Sequence, residues 1–148
     1  MTGGRFTAVV DGIALTLLLV NSVVLAMLEL FFLPLRFDGI VLPDLGGAPF
    51  PVTVLLAIVT TPWLVSQTAQ HAVRMGGPAG FGGVSLGLWF MTVVGVGLSG
   101  PGGDLMLPQD WRTIALVAGG ALPAAIVLGR VLAQSRIDRA RASGRAMP

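Results

Sequence analysis

Apolar residues fall in four long runs, at 13–35, 52–73, 81–98 and 113–129, and the stretches between them are short and rich in Gly, Pro and charge. A hydrocarbon core of about 30 Å takes about 20 predominantly apolar residues as helix. Inside these runs only Glu29 carries a full charge at neutral pH. The pattern predicts an all-α polytopic membrane protein, a bundle of four transmembrane helices built as two consecutive hairpins. The expected spans are about 9–35, 52–73, 81–98 and 112–132, in one domain covering 1–148, with a flexible basic tail from about 136. The first run is long for a signal peptide, and no small-x-small cleavage site follows it at Leu33-Pro34-Leu35-Arg36, so it is expected to stay as a helix.

The loops add punctuation. In the first, Pro43, Pro49 and Pro51 set turns, and Ile40, Val41 and Leu42 suggest a dip back onto the membrane surface. Asp38 and Asp44 there, and Asp104 and Asp110 in the third loop, flank an apolar stretch and a Pro at equal spacing. That echo fits common turn chemistry better than a duplicated hairpin, because the helices themselves do not match. The Gly76-Gly77-Pro78 connection is a tight turn. It is not a phosphate loop, since no strand precedes it and no Gly-Lys-Ser/Thr follows. Pro62 and Pro123 are expected to kink the second and fourth helices.

Composition narrows the class. Apolar residues make up 54% and charged residues 11% of the 148, where about 25% charged is usual for soluble domains. The pI near 11.1 reflects nine Arg and no Lys at a net charge of only +2, so nucleic acid is not an expected partner. Such usage, with abundant Gly and Ala, is common in high-GC bacterial genomes. The absence of Cys excludes disulfides, thiolate metal sites and cysteine catalysis. One His cannot build a metal site of ordinary ligand count, and no cofactor or metal is expected.

Arginine sets the expected orientation. Arg5, Arg74, Arg136, Arg139, Arg141 and Arg145 lie at the N-terminus, the second loop and the tail, whereas Arg36 and Arg112 lie beside Asp in the first and third loops. The positive-inside rule then puts both termini in the cytoplasm of a cell with this protein in its plasma membrane. Four spans require the termini to share a side, so charge and count agree. Trp111 and Arg112 read as interfacial anchors, and Asp110 as the cap of the fourth helix.

Counting about 1.5 Å per residue from the outer ends puts Glu29, Thr60, Thr61 and Trp63 near one level. They form a candidate intramembrane polar cluster, and Pro62 would free the carbonyl of Ile58 beside it. Asn21 and Gln67 count to a second, deeper layer. His71 reads as an interfacial residue at the cytoplasmic end of the second helix. Small residues recur every fourth position, at Gly83, Gly87 and Gly95 of the third helix and Ala121, Ala125 and Gly129 of the fourth. Such stripes let helix backbones approach where lipid removes the hydrophobic drive. They are expected first to seal the bundle and otherwise to meet another protein.

No catalytic residues stand out: there is no nucleophile elbow, no paired carboxylates within the spans and no Ser, His and Asp at one depth. The expected function is a non-enzymatic accessory or assembly subunit of a larger membrane complex. Its partners would be membrane lipids and other membrane subunits, or further copies of itself. A second reading is a small oligomeric transporter or channel with Glu29 as the coupling group, since an ionisable residue within a span is a functional hypothesis by default. A third is an enzyme or binder of lipid-linked substrate that uses the outer Asp residues.

Overall fold

The structure, a computed structural model, describes residues 3–37, 39–40, 43–44, 46, 48–49, 51–99 and 111–145. Four helices dominate it: α1 (Gly3–Phe32), α2 (Val52–Arg74), α3 (Gly82–Leu98) and α4 (Trp111–Arg145). All four are long and apolar enough to cross a membrane. The chain is therefore an all-α, multi-pass membrane protein, as the apolar runs predict.

The helix ends follow local chemistry. α1 stops at Phe32 rather than near position 35, because Pro34 disfavours helical backbone at the residue before it. α2 ends in a Schellman turn. Gly76 takes a φ of +78°, its N–H bonds the Val73 carbonyl at 2.9 Å, and the Gly77 N–H reaches the Ala72 carbonyl at 2.8 Å. A short 3-10 turn, Ala79–Phe81, leads into α3. α4 runs unbroken through Pro123 to Arg145. The basic tail is helical over 136–145 as the end of α4. α2 likewise continues through Pro62.

The first loop holds a small surprise for an all-α pattern. β1 (Arg36–Phe37) pairs antiparallel with β2 (Ala48–Pro49) and ties the loop's two ends together. Within it the Gly46 N–H bonds the Asp44 side chain at 3.0 Å, an Asx turn. Ile40 is 84% exposed, beyond that ladder. Val41, Leu42, Asp38, Asp104 and Asp110 lie outside the described residues, and with them the Asp echo and the α4 cap.

Packing departs from two separate hairpins. α2 is the hub: it packs most extensively on α4 and also on α1 and α3. α3 and α4, although consecutive, touch each other far less. α1 and α3, which run in the same direction, make the other main contact. Ala26 and Leu30 of α1, Leu33 just beyond its end, Ala57 of α2, Trp89 and Val93 of α3 and Leu116 of α4 form the core.

Candidate functional site

The buried face of α1 presents Ser22, Ala26 and Glu29, spaced so that they share one side of the helix, and buried Leu33 follows just past its end. Glu29 is fully enclosed. Its Oε2 accepts a 2.7 Å hydrogen bond from Trp89 Nε1–H of α3. Its Oε1 lies 3.3 Å from the Thr60 hydroxyl of α2. Thr60 has one proton and a second acceptor, the Leu56 carbonyl at 2.9 Å, so the indole makes the stronger contact with the carboxyl. One turn of α3 earlier, the Ser85 and Ser22 hydroxyls lie 2.6 Å apart, and Ser22 also donates to the Leu18 carbonyl at 3.0 Å. Two buried polar contacts therefore fasten α1 to α3, and the upper one extends to α2.

Of the four residues expected in the cluster, two meet, Glu29 and Thr60. Depth counting brings Glu29 and Thr60 together. Thr61, the next residue on α2, is buried but points elsewhere, and among the described residues its hydroxyl has no hydrogen-bonding partner; nor do those of Thr53 and Thr68, which share its buried face. Trp63 is 52% exposed on the outside of the bundle. The indole at Glu29 is Trp89, which the sequence reading passed over. The same counting finds it: nine residues below Leu98 at about 1.5 Å each is the Glu29 level, and an indole N–H at mid-span needs an acceptor.

The deeper layer has a different character. Asn21 and Gln67 line one open groove between α1 and α2, together with Trp63 and His71. At the groove's Arg74 end, His71 Nδ1 lies 3.0 Å from Asp11 Oδ1. Asp11 precedes the first apolar run, which opens at position 13. In the structure it belongs to α1, well inside the helix.

The buried stripes differ from those expected, mostly by two residues on α3 and by one on α4. On α3 the buried positions are Gly82, Ser85, Trp89, Val93 and Gly97, and on α4 they include Arg112, Leu116, Gly120 and Ala124. Gly87 and Gly95 face outward with open space beside them, as does Gly129. Ala125 is exposed, while Gly83 and Ala121 are half-buried at the edge. The cause is Trp89. Its ring needs a gap, and Gly120 supplies it: a β-carbon there would run into the ring. Gly82 is the other tight position, where a β-carbon would stand 2.7 Å from the Val65 carbonyl oxygen. Turning these glycines inward turns their neighbours out.

Arg112 is not a surface anchor. It is buried, and its guanidinium donates to the Leu33 carbonyl at the end of α1 at 3.1 Å. A cation at a helix C-terminus meets orphan carbonyls and the negative end of the dipole. Trp111 beside it is exposed.

Among the described residues, no three His, Cys, Asp or Glu side chains converge. What the geometry defines is a multi-pass membrane protein whose buried polar groups cross-link its helices. Comparison with protein-family models finds no match, and comparison with curated proteins and with solved structures finds none either.

Proposed function

We propose that the chain is a non-enzymatic accessory or assembly subunit of a larger complex in the plasma membrane, with both termini cytoplasmic. The observation that carries this reading is the outward setting of the α3 stripe. Gly87 and Gly95 stand on the bundle surface with nothing beside them among the described residues, and Met91 between them is 68% exposed. Small residues on a lipid-facing surface leave a shallow track that another helix can enter closely. The reading of Glu29 as a coupling group draws no support from its setting. Its carboxyl is enclosed and held from two neighbouring helices, which suits a fastener better than a group that must exchange with an aqueous path. Exposed Arg130, Arg136, Arg139 and Arg141 on α4 fit a cytoplasmic end.

The test is purification of the tagged full chain from its own membranes in mild detergent. One or more companion proteins in fixed stoichiometry are expected, and Gly87→Leu with Gly95→Leu should release them while thermal stability holds. A chain that purifies without any companion overturns the proposal.

A further inference from the structure

One face of the bundle places hydrogen-bonding groups where lipid has none to offer. The open groove between α1 and α2 has a volume of about 540 Å³ and is walled by Leu17, Asn21 and Val24 on one side and Trp63 and Gln67 on the other. Trp63 is the central residue of Val52–Arg74, and Asn21 stands close to the middle of Thr7–Phe32. Asn21 is exposed and Gln67 is half-buried. The two carboxamides and the Trp63 indole N–H have no hydrogen-bonding partner among the described residues. Acyl chains carry neither donors nor acceptors, so such groups are costly against lipid. Lipid-facing indoles ordinarily sit at the interfaces, about 15 Å from the midplane of a 30 Å core. A phospholipid brings only its tails to this level. The occupant must bring polar groups to mid-membrane.

A second copy meets that requirement from its own sequence. Two copies inserted the same way form a closed, isologous interface only about a two-fold axis along the membrane normal. That axis leaves every residue at its own depth. The interface therefore needs groups that satisfy their own kind at one level. A carboxamide has both an acceptor oxygen and a two-proton donor, and this groove holds two of them, which counting from the outer helix ends puts near one level. Asn21 can pair across the axis with its counterpart or with Gln67, with Leu17 and Val24 packing alongside. An unrelated partner helix would need only one such group, and no match in depth within this chain. We propose that the α1–α2 groove is the interface of a homodimer, closed at mid-membrane by the Asn21 and Gln67 carboxamides. This face is distinct from the Gly87 and Gly95 stripe, so it stands or falls apart from the companion-protein reading.

The chain contains no Cys, which makes single-cysteine variants clean probes in native membranes. Leu17→Cys, Asn21→Cys and Val24→Cys, oxidised in the bilayer, should give disulfide-linked dimers at least about tenfold more than Met91→Cys or Leu122→Cys, which are exposed on other faces. Leu17→Cys and Val24→Cys leave both carboxamides intact, so they carry the test even where Asn21→Cys folds poorly. Asn21→Leu with Gln67→Leu should raise the dimer dissociation constant in detergent about tenfold with helicity unchanged by circular dichroism. Cross-linking at 91 or 122 equal to that at 17 and 24 overturns the proposal. So does an adduct from position 17 or 24 only to a different protein, or an unchanged dissociation constant in the double Leu variant.

Discussion

Trp89 is the largest fully buried side chain, and it carries an N–H that hydrocarbon cannot satisfy. Glu29 supplies the acceptor at 2.7 Å, and each group is the reason the other is tolerable at that depth. Trp89→Phe keeps most of the ring and removes the donor. It should lower the unfolding free energy by about 1–3 kcal/mol, the cost of an orphaned buried polar group, read as a fall in the thermal midpoint in detergent. Adding Glu29→Leu should cost less than the sum of the two single changes, because neither partner is then left alone. An unchanged midpoint in Trp89→Phe would mean that the indole contact with the carboxyl fastens nothing. The sequence shows half of this pair. Depth along an apolar run is countable, so Glu29 and Thr60 are found at one level. Facing is not countable in the same way: Thr61 and Trp63 share that depth but point to other sides of α2. Trp89 is within reach of the same argument once α3 is counted too.

Whole helices obey a simpler logic, since a run of apolar residues has to be about bilayer length whatever it packs against. The spans are therefore plain in the sequence, while their packed faces are not. Small residues fall on more than one face of α3 and of α4, and periodicity alone cannot choose between them. The choice is made by Trp89 and the space beside Gly120. Substitution reads it directly. Gly120→Ala and Gly82→Ala should each destabilise by about 1–3 kcal/mol through overpacking. Gly87→Ala and Gly95→Ala, in open space, should be neutral or stabilise by up to about 1 kcal/mol from reduced backbone entropy in the unfolded chain. Equal costs at all four positions would contradict the observed faces. The end of α1 offers a second test. Arg112→Met keeps the apolar stem and removes the donor to the Leu33 carbonyl. It should cost about 1.5–3 kcal/mol, as expected for a charge-assisted hydrogen bond, and speed hydrogen exchange in the last turn of α1 measured by mass spectrometry. Its role is invisible in the sequence because an Arg beside Trp at a span end usually anchors at the interface.

The molecule as a whole is lopsided in charge along its long direction. Of nine Arg, Arg36 and Arg112 lie at one end, and Arg5, Arg74, Arg130, Arg136, Arg139, Arg141 and Arg145 belong to the other. The imbalance is greater than the count, since Arg112 is buried against α1. α4 sharpens it further. Thirty-five residues of helix extend about 50 Å, well beyond a hydrocarbon core of about 30 Å. Its Arg-bearing end must therefore stand clear of the bilayer as helix, where anionic head groups can hold it. Translocating that end would carry most of the chain's positive charge across the membrane, which is what the positive-inside bias opposes. With no native Cys, Ile40→Cys, Met75→Cys and Ser143→Cys each report one end of the molecule from an exposed position. In intact cells a membrane-impermeant maleimide should label Ile40→Cys alone, and it should reach the other two only after permeabilisation. Labelling of Met75→Cys and Ser143→Cys from outside would invert the orientation and place the helical Arg cluster where head-group attraction could not have set it.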